Sequence, residues 1–172
     1  ANVLYQMGII GTKKLVETDR SGLVAGYVGQ TAIKTREVIE SALNGVLFID
    51  EAYALAQGGD NDFGQEAIDT LVKMMDDNRE RLVVILAGYS DDMRNFLNQN
   101  AGLESRFPNI IEFEDYSTDE LLLIAEKMYE EQGYVLSPDA AALLRQIFEE
   151  ERKQPQFGNG RFVRNVCERS LN

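Results

Sequence analysis

The sequence has no histidine and a single cysteine, Cys167. Zinc sites and histidine-based triads are therefore excluded, and no internal disulfide can form. Basic residues are scarce. Seventeen Lys and Arg face 29 Asp and Glu, for a net charge of -12. Phosphate backbones need clustered cations, so this balance argues against nucleic acid as the main partner. No run is long and apolar enough to span a bilayer, and no charged-then-apolar leader opens the chain. The expectation is a cytoplasmic protein with neither membrane nor nucleic acid as partner.

What the chain does have is core. Hydrophobic residues make up 44% of its 172 positions, enough for one large domain or a domain with a small appendage. Ala1–Met7 reads as the second half of a helix that Gly8 stops, and Arg161–Asn172 as an amphipathic helix running off the end. The sequence is therefore expected to be cut from a longer protein.

Apolar runs suited to buried parallel strands occur at Lys14–Thr18, Val46–Asp50, Leu82–Ala87 and Asn109–Phe113. Helical patterns lie between them, at Ile33–Leu43, Gly64–Asp77 and Asp91–Gln99. This alternation predicts an α/β fold, a parallel sheet flanked by helices. The pattern changes after Tyr116. Ser117–Glu120 (STDE) is a capping box that opens a helix to about Gln132. Ser137-Pro138 opens another, to about Lys153, and the loop Gln154–Gly160 leads to the last helix. The predicted division is an α/β part over 1–115 and a helical part over 116–172.

The strongest chemical signal is Gly45–Leu55, GVLFIDEAYAL, an apolar strand ending in adjacent carboxylates. At the carboxyl end of a parallel strand, Asp50 and Glu51 face the ligand crevice. Asp50 is placed to hold Mg²⁺, an ion that takes few carboxylates plus phosphates. Glu51 is placed to orient and deprotonate an attacking water. The plain alternative is a strand that ends in two solvated acids.

FIDEA is similar to the Walker B motif of AAA+ ATPases. Gly22–Glu37, GLVAGYVGQTAIKTRE, resembles the subfamily that contains stage V sporulation protein K and the red-type Rubisco activase CbbX (CfxQ). The resemblance covers essentially the whole chain. It implies a P-loop NTPase-like (ASCE) large domain followed by a small all-α lid, with ATP and Mg²⁺ as ligands. It also implies a homo-oligomeric ring, a hexamer, acting on a protein substrate. One motif is missing: no G-x-x-x-x-G-K-[ST] occurs in this sequence. The resemblance places that loop, Walker A, and its central strand ahead of Ala1. The family sheet order is 5-1-4-3-2, so Asn109–Phe113 should lack its usual neighbour. Either another chain fills that gap or the pairing there is rearranged.

The resemblance also implies roles for single residues. Tyr27-Val28-Gly29 matches the aromatic–hydrophobic–Gly pore loop, where an aromatic ring can grip an extended peptide. Tyr89, in Gly88-Tyr89-Ser90, aligns with sensor 1. Arg106, in Leu103–Pro108 (LESRFP), matches the arginine finger that reaches the next subunit's γ-phosphate; the alternative is pairing with a local acid such as Glu104. Arg161, and after it Arg164, in Gly158–Asn165 (GNGRFVRN), match the nucleotide-facing arginine of sensor 2. Asp76-Asp77 and Glu149–Glu151 read as solvated helix faces, and Cys167 as a small core residue. The rival reading is a nucleotide-incompetent scaffold or adaptor that only binds partners.

Overall fold

A computed structural model of the chain describes residues 1–58 and 63–171. They form two compact units, Ala1–Ile110 and the chain from Ile111 onward. The first unit runs α1 (Asn2–Gln6), β1 (Leu15–Thr18), α2 (Arg20–Leu23), α3 (Thr31–Ser41) and β2 (Val46–Ile49). A short 3-10 helix (Ala52–Ala56), α4 (Gly64–Asp77), β3 (Val83–Leu86), α5 (Ser90–Gln99) and α6 (Ala101–Glu104) follow. Gly8 takes a left-handed φ of 73° just past α1, the conformation a helix stop of this kind needs.

The three strands form one parallel sheet in the order β1-β2-β3. Val46, Leu47 and Ile49 of the central strand are fully buried, which is why this segment reads as a near-continuous apolar run. Ile39 of α3, Ile68 and Leu71 of α4, Phe96 of α5 and Leu103 of α6 complete the core around them. Three of the four strands that the alternating pattern predicts form this sheet, and α3, α4 and α5 stand where it predicts helices.

One expected strand is absent. Asn109–Phe113 forms no strand, and β3 pairs only with β2 among the described residues. Ile110, Ile111 and Phe113 are 69%, 79% and 92% exposed. Of the two outcomes expected, the rearranged pairing does not occur among the described residues. The physical reason is that an apolar β-branched run becomes a strand only where a partner offers ladder hydrogen bonds and a face to pack on.

The second unit contains α7 (Thr118–Glu131), α8 (Pro138–Glu151) and α9 (Asn159–Leu171). Asn172, the predicted end of the last helix, lies outside the described residues. The capping box forms as read. The Glu120 amide donates to Ser117 Oγ at 3.3 Å, and the Ser117 amide donates to Glu120 Oε2 at 2.8 Å. The Ser117 amide, then the Ser117 hydroxyl donating to Glu120 Oε2 at 2.8 Å, hold the Glu120 carboxyl below its ordinary range. Ser137 caps α8 through the Ala140 amide at 3.2 Å, with Pro138 in the first turn. Leu121, Ala125, Phe148 and Val163 are fully buried between the helices, and Cys167 is buried with them.

These burials predict opposite responses at two apolar positions. Leu47→Ala should cost about 2–5 kcal/mol of unfolding free energy. Phe113→Ser should stay within about 0.5 kcal/mol of the parent chain, because an exposed ring loses no packing. Urea unfolding followed by circular dichroism measures both. A large loss for Phe113→Ser would mean that the segment is packed.

Candidate functional site

The site is built where the sheet runs out. Past Ile49, the Asp50 amide still donates to the Thr18 carbonyl at 2.9 Å, so the ladder with β1 extends one residue beyond the strand. The chain then leaves the core abruptly. Glu51 takes a left-handed backbone (φ 48°, ψ 45°), a conformation that costs a residue with a Cβ roughly 1–2 kcal/mol. Two hydrogen bonds hold it there. The Glu51 amide donates to Asp50 Oδ1 at 3.0 Å, and the Ala52 amide donates across to the Ala87 carbonyl at 3.0 Å. Both acids are exposed, while Ala52, Tyr53 and Leu55 turn back into the core.

Asp50 and Glu51 line a cleft of 650 Å³ whose other wall is α2 and the loop after it, including Asp19, Ser21 and Gly26. Asp19 caps α2, accepting from the Gly22 amide at 3.1 Å and from Ser21 Oγ at 2.6 Å. The Ser21 hydroxyl, then the Gly22 amide, hold its carboxyl below the usual range, so it is a fixed negative charge on the cleft. Arg20 Nη1 donates to the Ala54 and Leu55 carbonyls at 2.8 and 3.2 Å, tying α2 to the 3-10 helix. The motif reading did not include Asp19 or Arg20. A cap residue directly after an apolar run is the signal that could have located Asp19.

Tyr53 was also not singled out from the sequence. Its ring is 9% exposed, and its hydroxyl donates to Glu51 Oε2 at 2.6 Å. That hydrogen bond, with burial and the Glu51 charge behind it, pushes the phenol up to about 12, so it stays protonated near neutral pH.

The remaining predicted residues divide by position. Tyr89 follows β3 at the same end of the sheet as Asp50 and directly precedes α5. Tyr27, Val28 and Gly29 lie on the loop between α2 and α3. The Gln30 amide donates to the Tyr27 carbonyl at 3.3 Å, and Gly29 supplies the positive φ of 76° that this turn requires. Tyr27 and Val28 are 73% and 85% exposed.

Arg106 lies at the other end of the sheet. Its Nε donates to Asp76 Oδ1 at 2.9 Å, and its Nη2 pairs with Asp76 Oδ2. Nη1 donates to the Gly102 carbonyl at 2.7 Å. Asp76 is therefore not a merely solvated helix acid, and the arginine's acidic partner is Asp76 rather than Glu104. The arginine lowers the Asp76 carboxyl below its ordinary range, chiefly through these hydrogen bonds. Asp76 stands in the last turn of α4, which crosses back from the carboxyl end of β2 to the start of β3. Fourteen helical residues rise about 20 Å. Arg106 is thus separated from Asp50 and Glu51 by the height of the sheet. Arg161 and Arg164 belong to the second unit, both exposed on α9.

The donor set fits magnesium of the kind that binds phosphates. Among the described residues no cluster of three metal-ligating side chains occurs, and Mg²⁺ takes one or two carboxylates while phosphates and water supply the rest. Asp50 is a carboxylate exposed on the cleft.

The sequence model of the AAA lid domain matches residues 117–172. Stage V sporulation protein K of Bacillus subtilis (strain 168) is 48% identical over 172 residues, covering 98% of this chain and 53% of the relative. Protein CbbX of Cereibacter sphaeroides is 46% identical over 171 residues, covering 99% and 55%. The chloroplastic ribulose bisphosphate carboxylase/oxygenase activase of Cyanidioschyzon merolae (strain NIES-3377 / 10D) is 43% identical over 171 residues, covering 99% and 58%. The chain spans about half the length of these curated relatives. Residues 2–115 match the sequence model of the ATPase family associated with various cellular activities (AAA), and the chain belongs to that family.

Proposed function

We propose that this chain supplies the water-activating acids, the trans-acting arginine and the lid of an ATP hydrolase that works as a ring, a hexamer, and remodels a protein substrate. The observation that carries the reading is the placement of Asp50 and Glu51 at the carboxyl end of the central parallel strand, open to a cleft. Arg106 lies at the far end of the same sheet. A subunit with its acids at one end and its arginine at the other completes a site only by stacking head to tail on a neighbour.

Each residue then has a task. Asp50 would hold Mg²⁺, which when bound neutralises charge on the phosphoryl oxygens. Glu51 orients the attacking water and takes its proton. Arg106, released from Asp76, presents a planar guanidinium to the phosphoryl oxygens of the adjoining subunit. Tyr89 serves as the polar group beside the water, and Arg161, with Arg164 as second choice, reports from the lid on the nucleotide phosphates. Tyr27, with Val28 and Gly29, presents an exposed apolar loop to an extended polypeptide. The relative named as a ribulose bisphosphate carboxylase/oxygenase activase suggests a protein as substrate.

A second reading is a scaffold that binds partners without hydrolysing nucleotide. A strained, solvent-facing Glu51 beside Asp50 favours hydrolysis, because a scaffold has no use for it.

Two experiments on the protein carrying a phosphate-binding loop test the roles. Glu51→Gln should lower ATP turnover by about 10²-fold or more while ATP stays bound, and Arg106→Ala should stop hydrolysis without loss of binding. Mixing these two inactive variants should restore turnover, because a mixed ring contains sites with both groups intact. Additive inactivity in the mixture would place both groups in one subunit's site. Separately, Tyr27→Ala should leave hydrolysis within about twofold while abolishing remodelling of the substrate, since it removes a surface contact and no group at the phosphates. Loss of folding or of ATP binding would make Tyr27 a structural residue.

A further inference from the structure

The hydrolytic roles above leave the Tyr53 hydroxyl without a task, yet it reaches the Glu51 carboxylate, donating to Oε2 at 2.6 Å. A buried tyrosine needs a hydroxyl partner, and backbone carbonyls are its ordinary choice. Here the partner is an exposed acid two residues away, reached because the left-handed turn at Glu51 folds the chain back on itself.

The ring that carries this hydroxyl is clamped. A Cβ built on Gly88 would stand 2.8 Å from Tyr53 Cδ1 and Cε1 and 2.9 Å from Met93 Sδ. The Tyr53 ring therefore lies directly on the Gly88 backbone, with Met93 of α5 beside it. Gly88 immediately follows Ala87, whose carbonyl accepts from the Ala52 amide. Two contacts, one through backbone and one through the ring, thus tie the turn after β2 to the end of β3. Tyr53 joins a free carboxylate to the rigid sheet. An exposed glutamate otherwise rotates about its last torsion with both oxygens equivalent.

We propose that Tyr53 is a positioning residue for hydrolysis: its hydroxyl holds Glu51 Oε2 and leaves Oε1 as the oxygen that receives the proton of the attacking water. This rests on the reading of Glu51 as the base. In the step, the water oxygen bonds to the terminal phosphorus as the bond to the bridging oxygen of the leaving ADP breaks. The water proton passes to Oε1. Tyr53 keeps its own proton throughout and acts only through Glu51. Gly88, by leaving room for the ring, is part of the same device.

Steady-state ATP hydrolysis by the protein carrying a phosphate-binding loop tests this, with wild type, Tyr53→Phe, Gly88→Ala, Glu51→Gln and the Tyr53→Phe/Glu51→Gln double variant. Tyr53→Phe keeps the ring and should lower kcat about tenfold, with KM for ATP within about twofold. Gly88→Ala, which keeps the hydroxyl but displaces the ring, should lower kcat in the same way. In single turnovers, Tyr53→Phe should add nothing to the loss already caused by Glu51→Gln. An unchanged kcat in Tyr53→Phe, a change confined to KM, or an equal further loss in the Glu51→Gln background overturns the proposal. If Tyr53→Phe does not fold, an unchanged kcat in Gly88→Ala overturns it instead. Retained turnover in Glu51→Gln alone would remove the base reading, and that result is separate from a normal Tyr53→Phe beside an inactive Glu51→Gln.

Discussion

The site depends on one backbone hydrogen bond, from the Ala52 amide to the Ala87 carbonyl. It is made just beyond the last ladder pair, Ile49 with Leu86, and it turns the chain back across the end of β3. That reversal forces Glu51 into the left-handed region and sends Tyr53 into the core beneath it. A helix begun directly at Asp50 would relieve the strain and carry the two carboxylates onto a helix face. Instead they stand at the mouth of a cleft, held by a strand in which Val46, Leu47 and Ile49 are fully buried. The buried sheet thus stabilises a turn that is unfavourable by itself.

The same sheet sets the distance between the two acids and Arg106. A crossover helix must run the length of a parallel sheet to reach the next strand, so anything fixed at its far end is remote from the acids. The Asp76–Arg106 pair sits there. An exposed bidentate pair contributes little to folding. It does hold a long side chain in one place at that end of the sheet. A stronger anion, such as a phosphoryl group, can compete for it without disturbing the core.

What the sequence made legible follows the range of each interaction. The caps at Ser117 and Ser137 were readable because donor and acceptor lie three residues apart. The Asp50–Glu51 pair was readable because a buried strand announces itself and so does its end. Asn109–Phe113 was misread because its apolar character is local, whereas a strand exists only through a partner. Asp76 was misread because its partner stands 30 residues away. Tyr53 is the instructive case. It lies inside the very motif that drew attention, two residues after Glu51, and its role depends on a left-handed turn that residue types alone do not announce. Gly88, which makes room for its ring, carries no signal at all until the packing is seen.

If the acids at one end of the sheet and the arginine at the other complete a site only between subunits, hydrolysis is a property of stacked subunits. The most direct measurement is turnover per subunit against protein concentration, with sedimentation velocity at each point, for the protein carrying a phosphate-binding loop. The account predicts that turnover per subunit collapses as dilution yields monomer and returns on reassembly. Constant turnover per subunit in samples that sediment as monomer would contradict it.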